Sequence, residues 1–170
     1  AAATGKKAMT SSSGPGISLK QEGISYIAGA ELPCLVVNVM RGGPGLGTIQ
    51  PSQADYLQAT KGGGHGDYHL IVLAPASVQE MSDFVPLAFD LAFKYRNPVM
   101  ILSDGVIGQM MEKVELFDQM PRNTRFDQSW VTTGKTPDRE RNVITSLDLD
   151  PARMERHNQD LQAKYQKIRE

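Results

Sequence analysis

The segment CLVVNVM, residues 34–40, followed at once by RGGPGLG, residues 41–47, decides the fold of this chain. Its first half is mainly apolar and β-branched, which predicts a strand buried on both faces, as in a parallel sheet. The glycines after it predict a loop whose backbone can approach a ligand closely. Sites on parallel sheets lie at the carboxyl ends of strands, and this loop leaves such an end.

Apolar runs alternate with helical patterns on both sides of that segment. Ser77 and Glu80 have capping-box spacing, whereas Pro86 is expected to kink or split the helix that they begin. This alternation predicts an α/β fold with a doubly wound, mostly parallel sheet covered by helices. The predicted strands are residues 7–11, 34–40, 69–74 and 99–103, and the predicted helices are residues 17–31, 52–60 and 77–95.

The length of 170 residues suits one domain, which we place at residues 1–118. Residues 119–148 contain prolines, many charges and little periodicity, and they predict a linker that crosses the surface. Trp130 within it indicates a docked segment. Residues 149–170 predict a charged helix leading to a following domain that is not in the chain, with its start marked by an aspartate and a proline.

The first five residues resemble the last turn of a helix closed by a glycine, so the sequence is expected to begin within a domain. The domain is therefore expected to be truncated at its N-terminus.

Composition excludes several classes of function. The net charge of −1 argues against a nucleic-acid partner. No apolar run approaches the roughly 18 residues of a membrane span, and no signal-peptide profile is evident, which predicts a cytoplasmic protein without a membrane partner. The single cysteine, Cys34, cannot form an internal disulfide or supply a cluster, and we expect it to be buried. The histidines have no metal-ligand spacing, so no metal site is predicted in this chain.

The glycine-rich loop at residues 41–47 matches neither a dinucleotide fingerprint nor a phosphate-binding loop. It does place Arg41, which can grip a carboxylate with two parallel hydrogen bonds, beside Gly42 and Gly43. A glycine-rich turn with a solvated arginine is the alternative, and the residues alone leave both open.

Two further loops contain polar candidates. Ser12, Ser13 and Gly14 could bind oxygen atoms of a ligand, although serines before helices are commonly caps. His65 and Asp67 lie in a flexible loop, where a lone histidine is more often structural than catalytic. No Ser/His/Asp set can be assembled, so no catalytic residue is assigned.

Three segments together resemble the α subunits of 2-oxoacid:ferredoxin oxidoreductases. They are MTSSSGPGISLKQEGISYIAGAELP (9–33), VNVMRGGPGLGTIQPSQADYLQATKGGGHGDYHLIVLAPASVQEM (37–81) and YRNPVMILSDGVIGQMME (95–112). The stretch RGGPGLGTIQPSQAD is more similar to the branched-chain, 2-oxoisovalerate group than to the 2-oxoglutarate group, where Ser-Thr-Gly is expected in place of Gly45-Leu46-Gly47.

The resemblance implies the pyrimidine-binding domain of a thiamine-diphosphate enzyme that oxidatively decarboxylates a 2-oxoacid to its acyl-coenzyme A. It implies that the cofactor is shared with a β subunit carrying the pyrophosphate-binding domain. Magnesium and iron–sulfur clusters would lie only on partner subunits, which include γ and ferredoxin-like subunits, with ferredoxin as electron acceptor. Homo-oligomer contacts are also expected.

The same resemblance assigns site residues. It implies that Arg41 meets the substrate carboxylate, that Gly42 and Gly43 flank the substrate, and that His65 and Asp67 border the same cleft. Ser12, Ser13 and Gly14 would lie beside the cofactor.

Two features of the family are missing from the sequence. An activating glutamate is expected upstream of residue 1, and the metal-binding Gly-Asp-Gly motif has only Ser103-Asp104-Gly105 as its nearest match. The chain alone is therefore predicted to be inactive. The alternatives are a subunit-assembly module and an unrelated α/β small-molecule-binding domain without catalysis of its own.

Overall fold

The computed structural model describes residues 1–117 and 126–170. Within them a four-stranded sheet is covered by helices on both faces. The strands are β1 (Met9–Ser12), β2 (Cys34–Met40), β3 (Ile71–Leu73) and β4 (Pro98–Asp104), and the helices are α1 (Pro15–Gly29), α2 (Tyr56–Lys61), α3 (Val78–Tyr95) and α4 (Pro151–Arg169), with a short 3-10 helix at Ala2–Thr4.

All strand pairs of the sheet are parallel, and the strand order is β1-β2-β4-β3. The register pairs Leu35 with Val99 and Met40 with Asp104, so β2 and β4 end side by side. The loops that follow the strands therefore meet at one edge of the sheet. The predicted doubly wound α/β fold is confirmed.

Each face of the sheet packs against its own helices, because side chains alternate along a strand. Leu35 and Val37 of β2 face α3, whereas Val36 and Met40 face α1 and α2. The α3 face is centred on Leu35, Val37, Ala88, Phe89, Ala92, Phe93, Val99 and Ile101, and the opposite face on Ile17, Ile24, Ala28, Val36, Met40, Ala59, Tyr68, Met100 and Leu102. Two buried faces explain why the central strands are mainly apolar.

Some predicted boundaries differ from the observed ones. The helix expected from residue 52 begins at Tyr56, because Pro51 forms an antiparallel bridge with Arg41 and ties the preceding residues to the loop after β2. The expected split at Pro86 does not occur, since α3 continues through this proline to Tyr95. Packing of the helix against the sheet holds it together there.

The predicted cap of α3 is present. Ser77 Oγ accepts a hydrogen bond from the Glu80 N–H at 3.1 Å. The Glu80 carboxylate accepts from the N–H of Ala76, at 2.7 Å, instead of from the capping serine. The chain start also follows its prediction in part, because the 3-10 turn ends at Gly5 in a left-handed conformation.

Residues 126–170 pack onto the sheet domain, as Trp130 suggested. The Trp130 ring contacts the α3 face, and Cζ of Arg96 lies 4.8 Å from the ring centre. Helix α4 is held through the Lys164–Glu31 ion pair at 3.1 Å and a hydrogen bond between His157 Nε2 and the Gly29 carbonyl at 2.9 Å.

Part of the predicted linker, residues 119–125, and the boundary at residue 118 lie outside the described residues. Among the helices in the described ranges, none is long and apolar enough to span a bilayer.

Candidate functional site

A cleft of about 450 Å³ lies at the carboxyl ends of β1 and β2. It is formed by the start of α1, the loop after β2 and the residues that lead into α2. Its lining consists of Gly14, Pro15, Ser18, Arg41, Gly42, Gly43, Pro44, Gly45, Leu46, Ala54 and Asp55. The cleft therefore occupies the edge of the sheet where a parallel α/β fold places its ligands.

Arg41 is the first residue after β2, and its guanidinium lies against Gly14. Its Nη2 donates to the Leu46 carbonyl at 3.1 Å, whereas its Nε is buried and has no hydrogen-bond partner. A Cβ at Gly14 would lie 2.8 Å from that Nε. Gly14 also has φ 50° and ψ −125°, a conformation that favours glycine. The sequence at the end of β1 thus makes room for the arginine at the end of β2.

The carboxylate in the cleft does not neutralise this guanidinium. Asp55 Oδ2 instead accepts a hydrogen bond from Asn38 Nδ2 at 3.0 Å. Asn38 is fully buried in β2. Within the described ranges no carboxylate forms an ion pair with Arg41. Its remaining donors can therefore meet an anion that enters the cleft.

The loop after β2 is closed by its own backbone. The Gly42 N–H donates to the Gln50 carbonyl at 3.0 Å, and the Thr48 N–H donates to the Gly42 carbonyl at 2.9 Å. A Cβ at Gly47 would lie 1.9 Å from the Gly42 oxygen, so only glycine fits there. This closure keeps Gly42 and Gly43 in the cleft wall beside Arg41.

The serines proposed to lie beside the cofactor are at the end of β1 and just after it. Of the Ser12–Gly14 set, only Gly14 lines the cleft. A Cβ at Gly16 would lie 2.1 Å from Ser12 Oγ. The absence of a side chain at Gly16 therefore leaves space for this hydroxyl at the start of α1. The Ser13 carbonyl accepts from the Gly16 N–H at 3.1 Å.

The structure does not bring His65 and Asp67 together with Arg41. The His65 carbonyl accepts a hydrogen bond from Ser25 Oγ at 2.7 Å. Ser25 is ten residues along α1 from Pro15, which corresponds to about 15 Å of helix. Neither His65 nor Asp67 belongs to the lining of the cleft.

Asp104, at the end of β4, supports a turn. Its Oδ1 accepts from the N–H groups of Val106 and Ile107 at 2.8 and 3.1 Å. Desolvation acts to raise the pKa of Asp104, but these N–H donors and the Gln53 amide together hold it below its ordinary value. In the part of the chain that the structure describes, no three His, Cys, Asp or Glu side chains cluster as metal ligands would.

The sequence prediction did not assign Leu46 and Asp55 to this cleft or Asn38 as the partner of Asp55. Asn38 had a detectable signal, because an amide inside an otherwise apolar buried strand needs a polar partner. Leu46 lay within the glycine-rich loop that was predicted to approach a ligand, whereas Asp55 had no signal, since its position depends on how the loop folds back over the sheet.

Comparisons with known proteins agree with one another. Residues 1–170 match the family described as "Pyruvate flavodoxin/ferredoxin oxidoreductase, thiamine diP-bdg". Ketoisovalerate oxidoreductase subunit VorB of Methanothermobacter thermautotrophicus is 55% identical over the whole chain, which covers 48% of that protein. The 2-oxoglutarate synthase subunit KorA of Methanocaldococcus jannaschii is 52% identical over 68% of the chain and 32% of that subunit.

A solved structure is similar over almost the entire chain. It is the 2-oxoglutarate:ferredoxin oxidoreductase from Magnetococcus marinus, with 2-oxoglutarate, coenzyme A and succinyl-CoA bound. The TM-score is 0.75 and the identity 29%, covering 98% of this chain and 34% of that one. The two VorB subunits are matched by the whole of this chain, which spans about half of their length. The chain belongs to the thiamine-diphosphate-binding family of pyruvate flavodoxin/ferredoxin oxidoreductases, and thus to the 2-oxoacid:ferredoxin oxidoreductases.

Proposed function

We propose that this chain forms the pyrimidine-side wall of the active site in a thiamine-diphosphate-dependent complex that converts a 2-oxoacid into its acyl-coenzyme A. The observation that carries the proposal is Arg41, whose guanidinium lies in the cleft at the carboxyl end of the sheet without a carboxylate partner among the described residues. Family membership and the likeness to VorB over the whole of this chain, which covers 48% of VorB, support the reaction.

Arg41 would receive the substrate carboxylate. The bond from Nη2 to the Leu46 carbonyl fixes one side of the guanidinium and leaves other N–H groups for the ligand. A carboxylate held by two parallel donors is oriented as well as bound, so its 2-oxo carbon can be directed toward the cofactor. Gly42 and Gly43 would flank the substrate without obstructing it.

The residues fit the neutral part of thiamine diphosphate better than its diphosphate. Gly14 brings backbone into the cleft, and the lining contains one cation, which the substrate would occupy. Ser12, Ser13 and Gly14 would border the pyrimidine. When bound, the cofactor supplies the carbanion chemistry that releases carbon dioxide from a 2-oxoacid.

The other components belong to the same proposal. The diphosphate and its magnesium would be held by a β subunit, iron–sulfur clusters by γ and ferredoxin-like partners, and ferredoxin would take the electrons. His65 and Asp67 remain proposed substrate neighbours only in the assembled complex, since they lie outside the cleft lining here. The division into residues 1–118, 119–148 and 149–170, and homo-oligomer contacts, are proposed as well.

We infer a branched-chain 2-oxoacid as substrate and the cytoplasm as location. The substrate follows from the identity with VorB over the whole chain. A free, buried Cys34 thiol suits the reducing cytoplasm.

The test replaces Arg41 by Lys and by Met in the complete complex. Losing a charged, paired hydrogen bond in the cleft should cost about 1.5 to 3 kcal/mol, or roughly ten- to a hundredfold in kcat/KM. The loss should lie mainly in KM, and Arg41→Met should be worse than Arg41→Lys, because lysine keeps the charge but not the fork. Steady-state kinetics with 2-oxoisovalerate measure both.

The matched control is Arg141→Met, which removes an exposed arginine outside the cleft and should leave KM unchanged. An unaltered KM in Arg41→Met, combined with weaker subunit association, would instead make Arg41 an assembly residue.

A further inference from the structure

Leu46 is an apolar residue of the cleft lining, and its side chain has no part in binding a carboxylate. The residue belongs to the lining and is 79% exposed, so it is not part of the packed core. Its carbonyl is bonded to Arg41 Nη2 at 3.1 Å. The backbone of Leu46 is therefore held beside the guanidinium.

The rest of the lining determines what can lie beside Leu46. Pro15, Pro44 and Ala54 are apolar, and Arg41 is the one cation among the lining residues. Asp55 is the one carboxylate, and it is retained by its bond to Asn38. Once Arg41 holds an anion, this wall offers no second cation and repels a second negative charge.

With its carboxylate on Arg41, a 2-oxoacid would have its variable part near the cleft wall that includes Leu46. The side chain of the substrate begins two carbon–carbon bonds from the carboxylate carbon. When the carboxylate is on Arg41, that side chain would extend from the guanidinium along the cleft wall. An aliphatic group would bury apolar area against Leu46, whereas a distal carboxylate would lose hydration there without a partner.

We propose that Leu46 is the specificity-determining residue of this chain and selects neutral aliphatic 2-oxoacids over dicarboxylic ones. This inference rests on the proposed function, because it needs the substrate carboxylate on Arg41. It assigns the discrimination to one side chain of the loop after β2.

The test compares two substrates in the complete complex, 2-oxoisovalerate and 2-oxoglutarate. Leu46→Lys removes the apolar contact and adds a cation, so the ratio of kcat/KM for 2-oxoisovalerate to that for 2-oxoglutarate should fall by about tenfold or more. Leu46→Ala should lower kcat/KM for 2-oxoisovalerate while leaving the low value for 2-oxoglutarate unchanged.

Ile49→Lys is the matched control, because Ile49 lies in the same loop, is 81% exposed and does not line the cleft. It adds the same charge and should leave the ratio unchanged. An equal change for both substrates in Leu46→Lys, or the same shift in Ile49→Lys, would overturn the inference.

Failure of the inference is distinguishable from failure of the proposed function. If Arg41→Met raises KM for both 2-oxoacids while Leu46→Lys leaves their ratio intact, the carboxylate site stands and Leu46 is not its selector. If Arg41→Met changes KM for neither, the carboxylate site itself is wrong.

Discussion

At the scale of single residues, the cleft depends on a glycine without a side chain, Gly14, as much as on the arginine that it accommodates, Arg41. Arg41 keeps its position because Gly14 leaves space for its Nε and because the Leu46 carbonyl accepts from its Nη2. Asn38 keeps the neighbouring Asp55 carboxylate bonded elsewhere. Three different residues thus leave one guanidinium open to a ligand.

Gly14→Ala should therefore impair both folding and substrate binding. The added Cβ would meet Arg41 Nε at 2.8 Å, and the backbone conformation disfavours any residue with a Cβ. We expect a loss of about 1 to 3 kcal/mol in the free energy of unfolding. In the complete complex we expect a higher KM for the 2-oxoacid, because the guanidinium is displaced. Denaturant unfolding and steady-state kinetics measure the two effects.

Gly23→Ala provides the comparison, since a Cβ at Gly23 meets nothing within 4 Å and the residue lies inside α1. Alanine should raise the stability of that helix by about 0.5 to 1 kcal/mol and leave KM unchanged. Equal behaviour of the two variants would show that Gly14 does not position Arg41.

At the scale of elements, the sequence predicts best where local pattern and burial agree. The bounds predicted for β2 are those observed, because its apolar run is buried on both faces and ends at a glycine-rich loop. The predicted start of α2 was wrong, since the observed start depends on the bridge between Arg41 and Pro51, a contact across the loop. The place of His65 depends likewise on its contact with Ser25, forty residues away in sequence.

The site residues also divide into those that a local sequence pattern predicts and those that depend on contacts across loops. Arg41 could be identified from its position after a buried strand and from the family resemblance. Its lack of an acidic partner could not be foreseen, because it depends on the bond between Asn38 and Asp55. Residues that act through packing across loops leave no period or motif in the sequence.

The start of α4 should be sensitive to acid. Asp150 caps the helix by accepting from the Ala152 N–H at 3.0 Å, and Asp148 accepts from Arg153 Nη2 at 2.7 Å and from the Asp150 N–H at 2.9 Å. The bond to Arg153, followed by the backbone donor, lowers the pKa of Asp148 to about 2. Its contribution to stability should be complete above the ordinary value of about 3.9 and be lost as the pH falls toward 2.

Asp148→Asn removes this contribution at neutral pH. The difference in unfolding free energy between wild type and variant should be small, since the pair is exposed, and should shrink as the pH falls from about 6 to about 2.5. Denaturant titrations at both pH values measure it. Asp160→Asn changes an exposed carboxylate in the middle of α4 and serves as the control. A difference that grew in acid would contradict the assignment.

At the scale of the whole molecule, the proposed reaction needs iron–sulfur clusters that the cysteine content of this chain does not supply. The chain contains one cysteine, whereas iron–sulfur clusters are held by several cysteine ligands. We expect the 170-residue chain alone to show no 2-oxoacid-dependent reduction of ferredoxin or a viologen dye. Anaerobic assays of the chain and of the complete complex give the comparison, and turnover by the chain alone would refute this view.

The single cysteine, Cys34, can also report on opening of the native sheet. Cys34 is 6% exposed at the start of the central strand β2, and burial raises the pKa of its thiol. The thiolate is the reactive form, so an alkylating reagent should modify the protein only in molecules whose sheet has transiently opened. Because no other thiol competes, the labelling rate reports how often the sheet opens, and mass spectrometry can follow it without any engineered probe.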